Sequence, residues 1–364
     1  MTRIALTGAD GFLGWHTRCA LRETEVAAGN IAVGNDFDAA TANRAVDGAD
    51  RLIHLAGVNR ASDAELLDGN LLFAEQIADS LRRAEKPPPV VVYSNSIQSG
   101  NGTVYGDAKA RAGEILAEVA SELGLRFVDL RLPNLFGEHG RPFYNAVTAT
   151  FCHLLADGGE PTVQQDKELT LLHAQDAADL LIGATASQDQ GGLEQRETVA
   201  GLLERLKGIA ATYRTGEIPD VSRKFDRDLF NTYRSYAFAS HTPIRLTRHA
   251  DARGSFFEII RSHGGTAQSS FSTTVPGVTR GDHFHRRKIE RFTVLSGQAR
   301  ISLRRLFTDQ VFHFDVDGEA PVAVDMPTMW THSITNTGVE PLYTSFWTDD
   351  LFDPQNPDTI AEVV

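Results

Sequence analysis

An α/β domain with a doubly wound parallel sheet, followed by an all-β domain of jelly-roll or barrel type, is the fold class this sequence predicts. Three observations predict it. Short apolar runs alternate with helical patterns through the first 240 residues, which is the grammar of a parallel sheet covered on both faces. From Pro243 on there is no amphipathic helical pattern, and short alternating strands are broken by Gly and Pro. The length of 364 residues is enough for two domains with separate cores. The expected domains are therefore 1–242 and 243–364.

The elements follow in order. RIALTG reads as a strand and FLGWHTRCALRE as a helix; the second strand is expected at NIAVG, residues 30–34. RLIHLAG, PVVVYSNS and FVDLRLPN are further strands, rich in Val, Ile and Leu because both of their faces are to be buried. ELLDGNLLFAEQIADSLRRA and YGDAKARAGEILAEVASELG are the helices between them. Residues 190–240 are mixed and partly helical. In RFTVLSGQARISLRRL, Phe292 and Val294 face one way; beyond a turn at Gly297, Ala299, Ile301 and Leu303 repeat the alternation.

Composition excludes several classes of function. Apolar residues are 41 % and charged residues 23 %, as in ordinary globular proteins. The net charge of −13, with no Lys/Arg block, argues against a nucleic-acid partner. No run of about eighteen apolar residues occurs, so no membrane helix is expected. MTRIALTGADG lacks a signal-peptide layout and Cys19 and Cys152 suggest no disulfide framework, so the cytoplasm is the default expectation.

Two constellations carry chemistry in the first domain. Gly8, Gly11 and Gly14 in TGADGFLG follow the first strand and open the first helix. Glycines there let the backbone approach a pyrophosphate, which then rests on the helix N-terminus. Tyr105 and Lys109 stand at Y-x-x-x-K spacing, on one helix face, with Ser96 at the end of the strand before them. A phenol is a poor acid–base group near neutrality, and an adjacent ammonium would bring its pKa toward the working range. Ser96 could then hydrogen-bond a reacting carbonyl or hydroxyl.

With these residues, the HLAG segment (54–57), RLPNLFG and LTLLHAQDAADLL, residues 1–240 resemble the extended short-chain dehydrogenase/reductase family. That resemblance implies a Rossmann-type domain, NAD or NADP, and often a nucleotide-sugar substrate. It implies cofactor contacts from Gly8, Gly11, Phe12, Leu13, Gly14, Leu55, Ala56, Gly57, Tyr105 and Lys109, and catalysis by Ser96, Tyr105 and Lys109. Asp36 lies about twenty residues past the glycines, where a carboxylate bonds a ribose 2′-OH and repels a 2′-phosphate. Asp10, not a basic residue, occupies the turn. Both point to NAD.

The second domain carries His283-x-His285, then Glu290, and at a distance His332. Positions i and i+2 of a strand share a face, Glu290 returns on the next strand, and three imidazoles with a carboxylate suit Zn²⁺, Fe²⁺, Mn²⁺ or Ni²⁺. The order resembles the cupin superfamily, whose metal is held by three His and one Glu; zinc is the first expectation on family grounds. One departure is Met329, where a Gly is common, and it bears on a turn.

Taken whole, with AGVNR, SNSIQ, FYNAVTATFCH, DLFNTYRSY, DARGSFFEI and LFDPQNPDT, the chain resembles the bifunctional capsular-polysaccharide enzymes of the CapF/WbjC type. In that family a cupin epimerises a 4-keto-6-deoxy nucleotide sugar at C3 and the reductase domain reduces C4 with NADPH, giving UDP-2-acetamido-2,6-dideoxy-L-talose. The family's NADPH and the acidic residue Asp36 pull in opposite directions, so NAD(P)H is left open between NAD and NADP, and the carrier between UDP and dTDP. Lys288 is a weak candidate for the epimerase acid or base. A homodimer is expected, since cupins and extended reductases commonly pair. Two other readings are a ketoreductase whose cupin is structural, and a non-catalytic NAD(H)-binding regulator.

Overall fold

Strand β1 (Arg3–Thr7) is the axis of the first part of the chain in a computed structural model that describes residues 2–364. It pairs in parallel on both sides. Helix α1 (Phe12–Glu23) leads to β2 (Ala27–Ile31) on one side; helix α2 (Ala39–Val46) leads back to β3 (Arg51–His54) on the other. Helix α3 (Asp63–Arg83), β4 (Val90–Ser96), α4 (Val104–Glu122) and β5 (Arg126–Leu132) complete a sheet of order β2-β1-β3-β4-β5. The connections reverse direction between β1 and β3, and such a switch point opens a crevice at the strands' C-terminal ends.

Alternate residues of each strand enter opposite cores, which is why the strands read as continuous apolar runs. Ala5, Leu52 and Val91 pack with Ile77, Leu81 and Leu116 on one face. Ile4, Leu6, Ile53 and Val92 pack with Leu21 and Leu180 on the other. Ser62 and Glu65 form a capping box on α3, and the Thr103 hydroxyl caps α4.

The second strand differs from the expectation. Pairing with β1 runs from Arg3↔Ala27 to Thr7↔Ile31, so β2 ends before Val33 and Gly34–Asp36 forms a 3₁₀ turn. The ladder stops where β1 itself ends, and beyond it Gln76 of α3 holds the turn: its side chain accepts from the Gly34 N–H at 2.7 Å and donates to the Gly34 carbonyl at 3.0 Å. Those groups are thereby lost to any sheet ladder.

The chain continues through β6 (Asn134–Phe136), α5 (Val147–Ala156), β7 (Glu168–His173), α6 (Ala174–Ile182), the short α7 (Gln190–Leu193), β8 (Gln195–Thr198), α8 (Val199–Arg214) and α9 (Lys224–His241). Strands β6, β7 and β8 make a small sheet in that order. The compact units are Met1–Phe136 with Leu169–Glu197, and Gly137–Glu168 with Thr198–Val364.

The second unit is a pair of antiparallel sheets. Its strands are β9 (Ile244–Arg245), β10 (Arg248–Asp251), β11 (Gly254–Phe257), β12 (Gln268–Thr274), β13 (Thr279–Phe284), β14 (Glu290–Ser296), β15 (Gln298–Arg305), β16 (Val311–Asp317), β17 (Val322–Met326), β18 (Trp330–Asn336), β19 (Leu342–Thr348) and β20 (Ile360–Ala361). One sheet runs β12-β19-β14-β17-β9, the other β16-β15-β18-β13-β20, and β10 pairs with β11 alone. Gly297, at φ 92°, carries the chain from one sheet to the other between β14 and β15. Phe292, Val294, Ala299, Ile301 and Leu303 meet in the core between the sheets, as their alternation requires. Among the described residues no helix follows His241, and none anywhere is long and apolar enough to cross a membrane.

The change of pattern at 242/243 marks the end of α9, yet the compact unit reaches back to include α5, α8 and α9. A buried polar network explains the attachment. Arg291 on β14 makes a bidentate pair with Asp325 on β17 at 2.5 and 2.9 Å and donates to the Gly216 carbonyl at 2.7 Å. The Tyr213 hydroxyl of α8 donates to Asp325 at 2.9 Å, and Arg234 of α9 donates to the Met326 carbonyl at 3.1 Å. Burial acts to raise the Asp325 pKa, but Arg291, with Arg234 and Tyr213, holds it below the ordinary value, so it stays a carboxylate. Replacing one partner of such a pair strands a buried charge. Arg291→Met should lower stability by about 3–5 kcal/mol in urea unfolding, and Arg291→Met combined with Asp325→Leu should recover much of that loss.

Candidate active site and metal centre

The glycine turn is built by close approach. Gly8 has φ +70°, and a Cβ there would lie 2.8 Å from the Ala56 nitrogen. A Cβ on Gly14 would lie 2.0 Å from the Gly8 carbonyl oxygen, so α1 can start this close to the turn only without a side chain. Gly11 is the N-cap of α1 and brings no side chain to it, and the first turn holds no acidic residue. The leading N–H groups, at Phe12, Leu13 and Gly14, therefore face an open end with a positive dipole, which suits a diphosphate. Asp10 in this turn pairs with Arg18 at 3.1 Å.

Thr7 ties β1 to β3. Its hydroxyl oxygen accepts from the Leu55 and Ala56 N–H groups, each at 3.1 Å, and lies 2.8 Å from His54 Nδ1. Since the oxygen is already accepting twice, its single proton goes to Nδ1, and His54 is the neutral Nε2–H tautomer. Burial, with the Lys109 charge adding to it, pushes the His54 pKa down to about 3. Asn70 holds the next turn, accepting from the Val58 N–H at 3.3 Å and donating to the Val58 carbonyl at 2.8 Å. Sequence patterns single out neither Thr7 nor Asn70; the one signal was a hydroxyl directly before the first glycine.

Ser96, Tyr105 and Lys109 are brought together at the end of β4 and the start of α4. Burial raises the Tyr105 pKa and a hydrogen bond with Ser96 opposes the rise, so the phenol keeps its proton. Lys109 is buried; its Nζ donates to the Ser94 carbonyl at 2.7 Å and lies 4.2 Å from the Tyr93 ring centroid. Burial pulls its pKa down to about 7, against the Asp129 carboxylate. Lys109 thus engages Ser94 and Tyr93, and the group acting on Tyr105 is Ser96, which differs from the direct Lys–Tyr effect expected from spacing. A Cβ built on Gly57 would come 3.9 Å from Lys109 Nζ, so Gly57 borders the same space. Asp36 lies exposed in the 3₁₀ turn beyond β2.

The second site lies wholly in the second unit. Ligand atoms of His283, His285, Glu290 and His332 all fall within 4.8 Å of one another. Glu290 Oε2 is 3.1 Å from His285 Nε2 and 3.0 Å from His332 Nε2. His285 Nδ1 meets the Asp358 carbonyl at 2.5 Å, and His332 Nδ1 the Trp330 carbonyl at 3.3 Å. A carbonyl oxygen only accepts, so both Nδ1 atoms carry protons and Nε2 is the atom each ring would offer a metal. Burial, then the His332 and His285 charges, lower the His283 pKa to about 4, which leaves it neutral. Burial acts to raise the Glu290 pKa, but its close contacts with His285 and His332 hold it well below the ordinary range. Three imidazoles around one carboxylate fit a divalent cation.

Two backbone features set this geometry. A bulge at Asp282, φ 54°, shifts the β13–β18 register and places His283 opposite His332. Met329 takes φ +60°, the conformation that favours the glycine common there, and its N–H donates to the His285 carbonyl at 2.6 Å. Lys288 has its Nζ 3.4 Å from the Pro357 carbonyl and from Thr359 Oγ1, so its ammonium is tied to the C-terminal segment.

Comparisons with known proteins agree with this layout. Residues 4–197 match the family model described as NAD dependent epimerase/dehydratase family, and residues 249–360 match the polysaccharide biosynthesis C-terminal domain. The UDP-2-acetamido-2,6-beta-L-arabino-hexul-4-ose reductase of Pseudomonas aeruginosa is 30 % identical, covering 99 % of this chain and 98 % of that one. The spore coat polysaccharide biosynthesis protein SpsL of Bacillus subtilis is 29 % identical over 31 % of this chain and 82 % of its own. Among solved structures, the capsular polysaccharide assembling protein CapF of Staphylococcus aureus matches with TM-score 0.61 and 31 % identity, covering 100 % of both chains. The full-length resemblance to the CapF type and the two-part fold class are thereby shown.

Gly8→Val should displace the Leu55–Ala56 turn and weaken NADH and NADPH binding at least tenfold in a fluorescence titration. Unchanged affinity would contradict the role given to this turn.

Proposed function

This chain belongs to the NAD dependent epimerase/dehydratase family, and we propose that it acts on a 4-keto-6-deoxy nucleotide sugar with two activities. The first unit reduces the C4 ketone with NAD(P)H; the metal centre of the second unit serves epimerisation at C3. The observation that carries this reading is the gathering of Ser96, Tyr105 and Lys109 beside the Gly8 turn, in a chain that also keeps His283, His285, Glu290 and His332 within ligating distance of one another. The 4-keto substrate is supported by the printed activity of the Pseudomonas relative.

In the reduction, a nicotinamide cofactor held at the Gly8 turn and the start of α1 would supply the hydride. Ser96 hydrogen-bonds the ketone oxygen and orients it. Tyr105, kept protonated by burial, gives its proton to that oxygen as charge develops. Lys109, held on the Ser94 carbonyl beside the Tyr93 ring, places its charge at the end of β4 and favours the phenolate from there rather than by direct contact. His54 stays neutral, so it adds no competing charge beside Lys109. At the second site His283, His285, Glu290 and His332 would hold a divalent cation, zinc on family grounds; when bound it acts as a Lewis acid on the oxygen next to the exchanging carbon. Lys288, tied to the C-terminal segment, is only a weak candidate for the acid or base of that step.

The division of labour is tested with a 4-keto-6-deoxy UDP-HexNAc, NADH and NADPH in parallel, and NMR in D₂O. Tyr105→Phe should slow cofactor oxidation about 10²–10⁴-fold and leave deuterium uptake at C3 unchanged. His332→Ala should abolish the deuterium uptake. Loss of both signals from Tyr105→Phe would overturn the assignment. The Lys109 ammonium is present below pH about 7 and lost above it, so kcat/KM for reduction should fall as pH rises through that value. A flat profile there would show that the charge is not needed.

A further inference from the structure

We infer that Asp358 is a positioning residue for the metal centre: it fixes the loop between His285 and Glu290 and so sets the affinity for the cation. The inference rests on the metal reading above. One residue serves both the ligand and the loop. Its carboxylate accepts from three successive backbone N–H groups, Arg286 at 3.0 Å, Arg287 at 2.8 Å and Lys288 at 2.8 Å, and from the Arg287 guanidinium at 3.2 Å. Its carbonyl accepts from His285 Nδ1 at 2.5 Å, which determines that Nε2 is free to ligate. The same backbone position has φ +42°, which turns the carbonyl toward His285 while the side chain faces the loop; Asp and Asn adopt this region more readily than most residues.

The segment that carries Asp358 is itself fastened beside the ligands. Strand β20 pairs with β13 at His283↔Ala361 and Phe284↔Ile360. The Glu362 N–H donates to the Asp282 carbonyl at 3.0 Å, at the bulge that aligns His283. Thr331, next to His332, donates to the Glu362 carbonyl, and Arg304 donates to the Val363 carbonyl at 2.5 Å and to the Glu362 carboxylate at 3.1 Å. The tail therefore touches the chain at or beside three of the four ligands. A residue that merely stabilised the fold would change melting without changing how tightly the folded protein holds a cation.

The test uses the full chain, with Zn²⁺ affinity from chelator competition, the visible spectrum of the Co²⁺ form, and ¹⁵N shifts of His285 in metal-free protein. Asp358→Ala should weaken Zn²⁺ binding about 10–100-fold, alter the Co²⁺ bands, and loosen the His285 tautomer preference. Asp358→Asn keeps the backbone conformation and one acceptor oxygen, so it should lose less, and it decides the matter if the alanine variant does not fold. Asp315→Asn, which loosens the exposed Arg300 pair between β15 and β16, should leave affinity unchanged. Wild-type affinity and spectrum in folded Asp358→Ala, or in Asp358→Asn where the alanine variant does not fold, would overturn the inference and leave the metal reading standing. If wild-type protein itself takes up no cation, the metal reading fails and this inference with it.

Discussion

A turn that packs against other backbone must give its N–H groups acceptors, and both candidate sites are arranged around one side chain that does so. In the first unit the Thr7 hydroxyl takes two N–H groups from the turn after β3 and sends its proton to His54. This draws residues 55–56 so close to the turn after β1 that only glycine fits at position 8. From that follow the left-handed turn, the bare start of α1 and the crevice at the switch point. In the second unit the Asp358 carboxylate takes three N–H groups of the loop between two ligands. Each site thus depends on a polar residue outside the reactive set.

Burial then decides protonation. Lys109 near 7, His54 near 3 and His283 near 4 are all moved in the direction that removes positive charge from the interior. Tyr105 moves the other way and keeps its proton. The consequence is that Tyr105, His54 and His283 have charge states fixed by their surroundings, so little reorganisation is needed when a substrate arrives, while Lys109 titrates near 7. An anionic ligand is compatible with a net charge of −13 because its contacts are local, to helix-start N–H groups and a buried lysine.

Much of this was legible in the residues. The alternation of strands and helices, the glycine triplet, Y-x-x-x-K and the His283-x-His285, Glu290 cluster are short-range patterns, His332 is added by resemblance, and the structure brings each of these sets of residues together. The misses have tertiary causes. AAGNI holds little β-branched or aromatic character, and only pairing with β1 and the Gln76 side chain reveal where β2 stops. The helices α5, α8 and α9 join the β-rich unit through Arg291, Asp325 and Tyr213, which lie far apart in the chain. Asp358 is some seventy residues from the loop it holds, with no spacing rule to announce it. Met329 departs from the glycine common at its position, and it adopts the positive φ that glycine favours.

The central claim is that one chain carries two separable chemistries. The most direct measurement incubates wild-type protein with a 4-keto-6-deoxy UDP-HexNAc and Zn²⁺ in D₂O, with no nicotinamide present, and follows C3 and C4 by NMR. The account predicts deuterium at C3 with the C4 ketone intact. No exchange at C3, or exchange that begins only when NADH or NADPH is added, would contradict it.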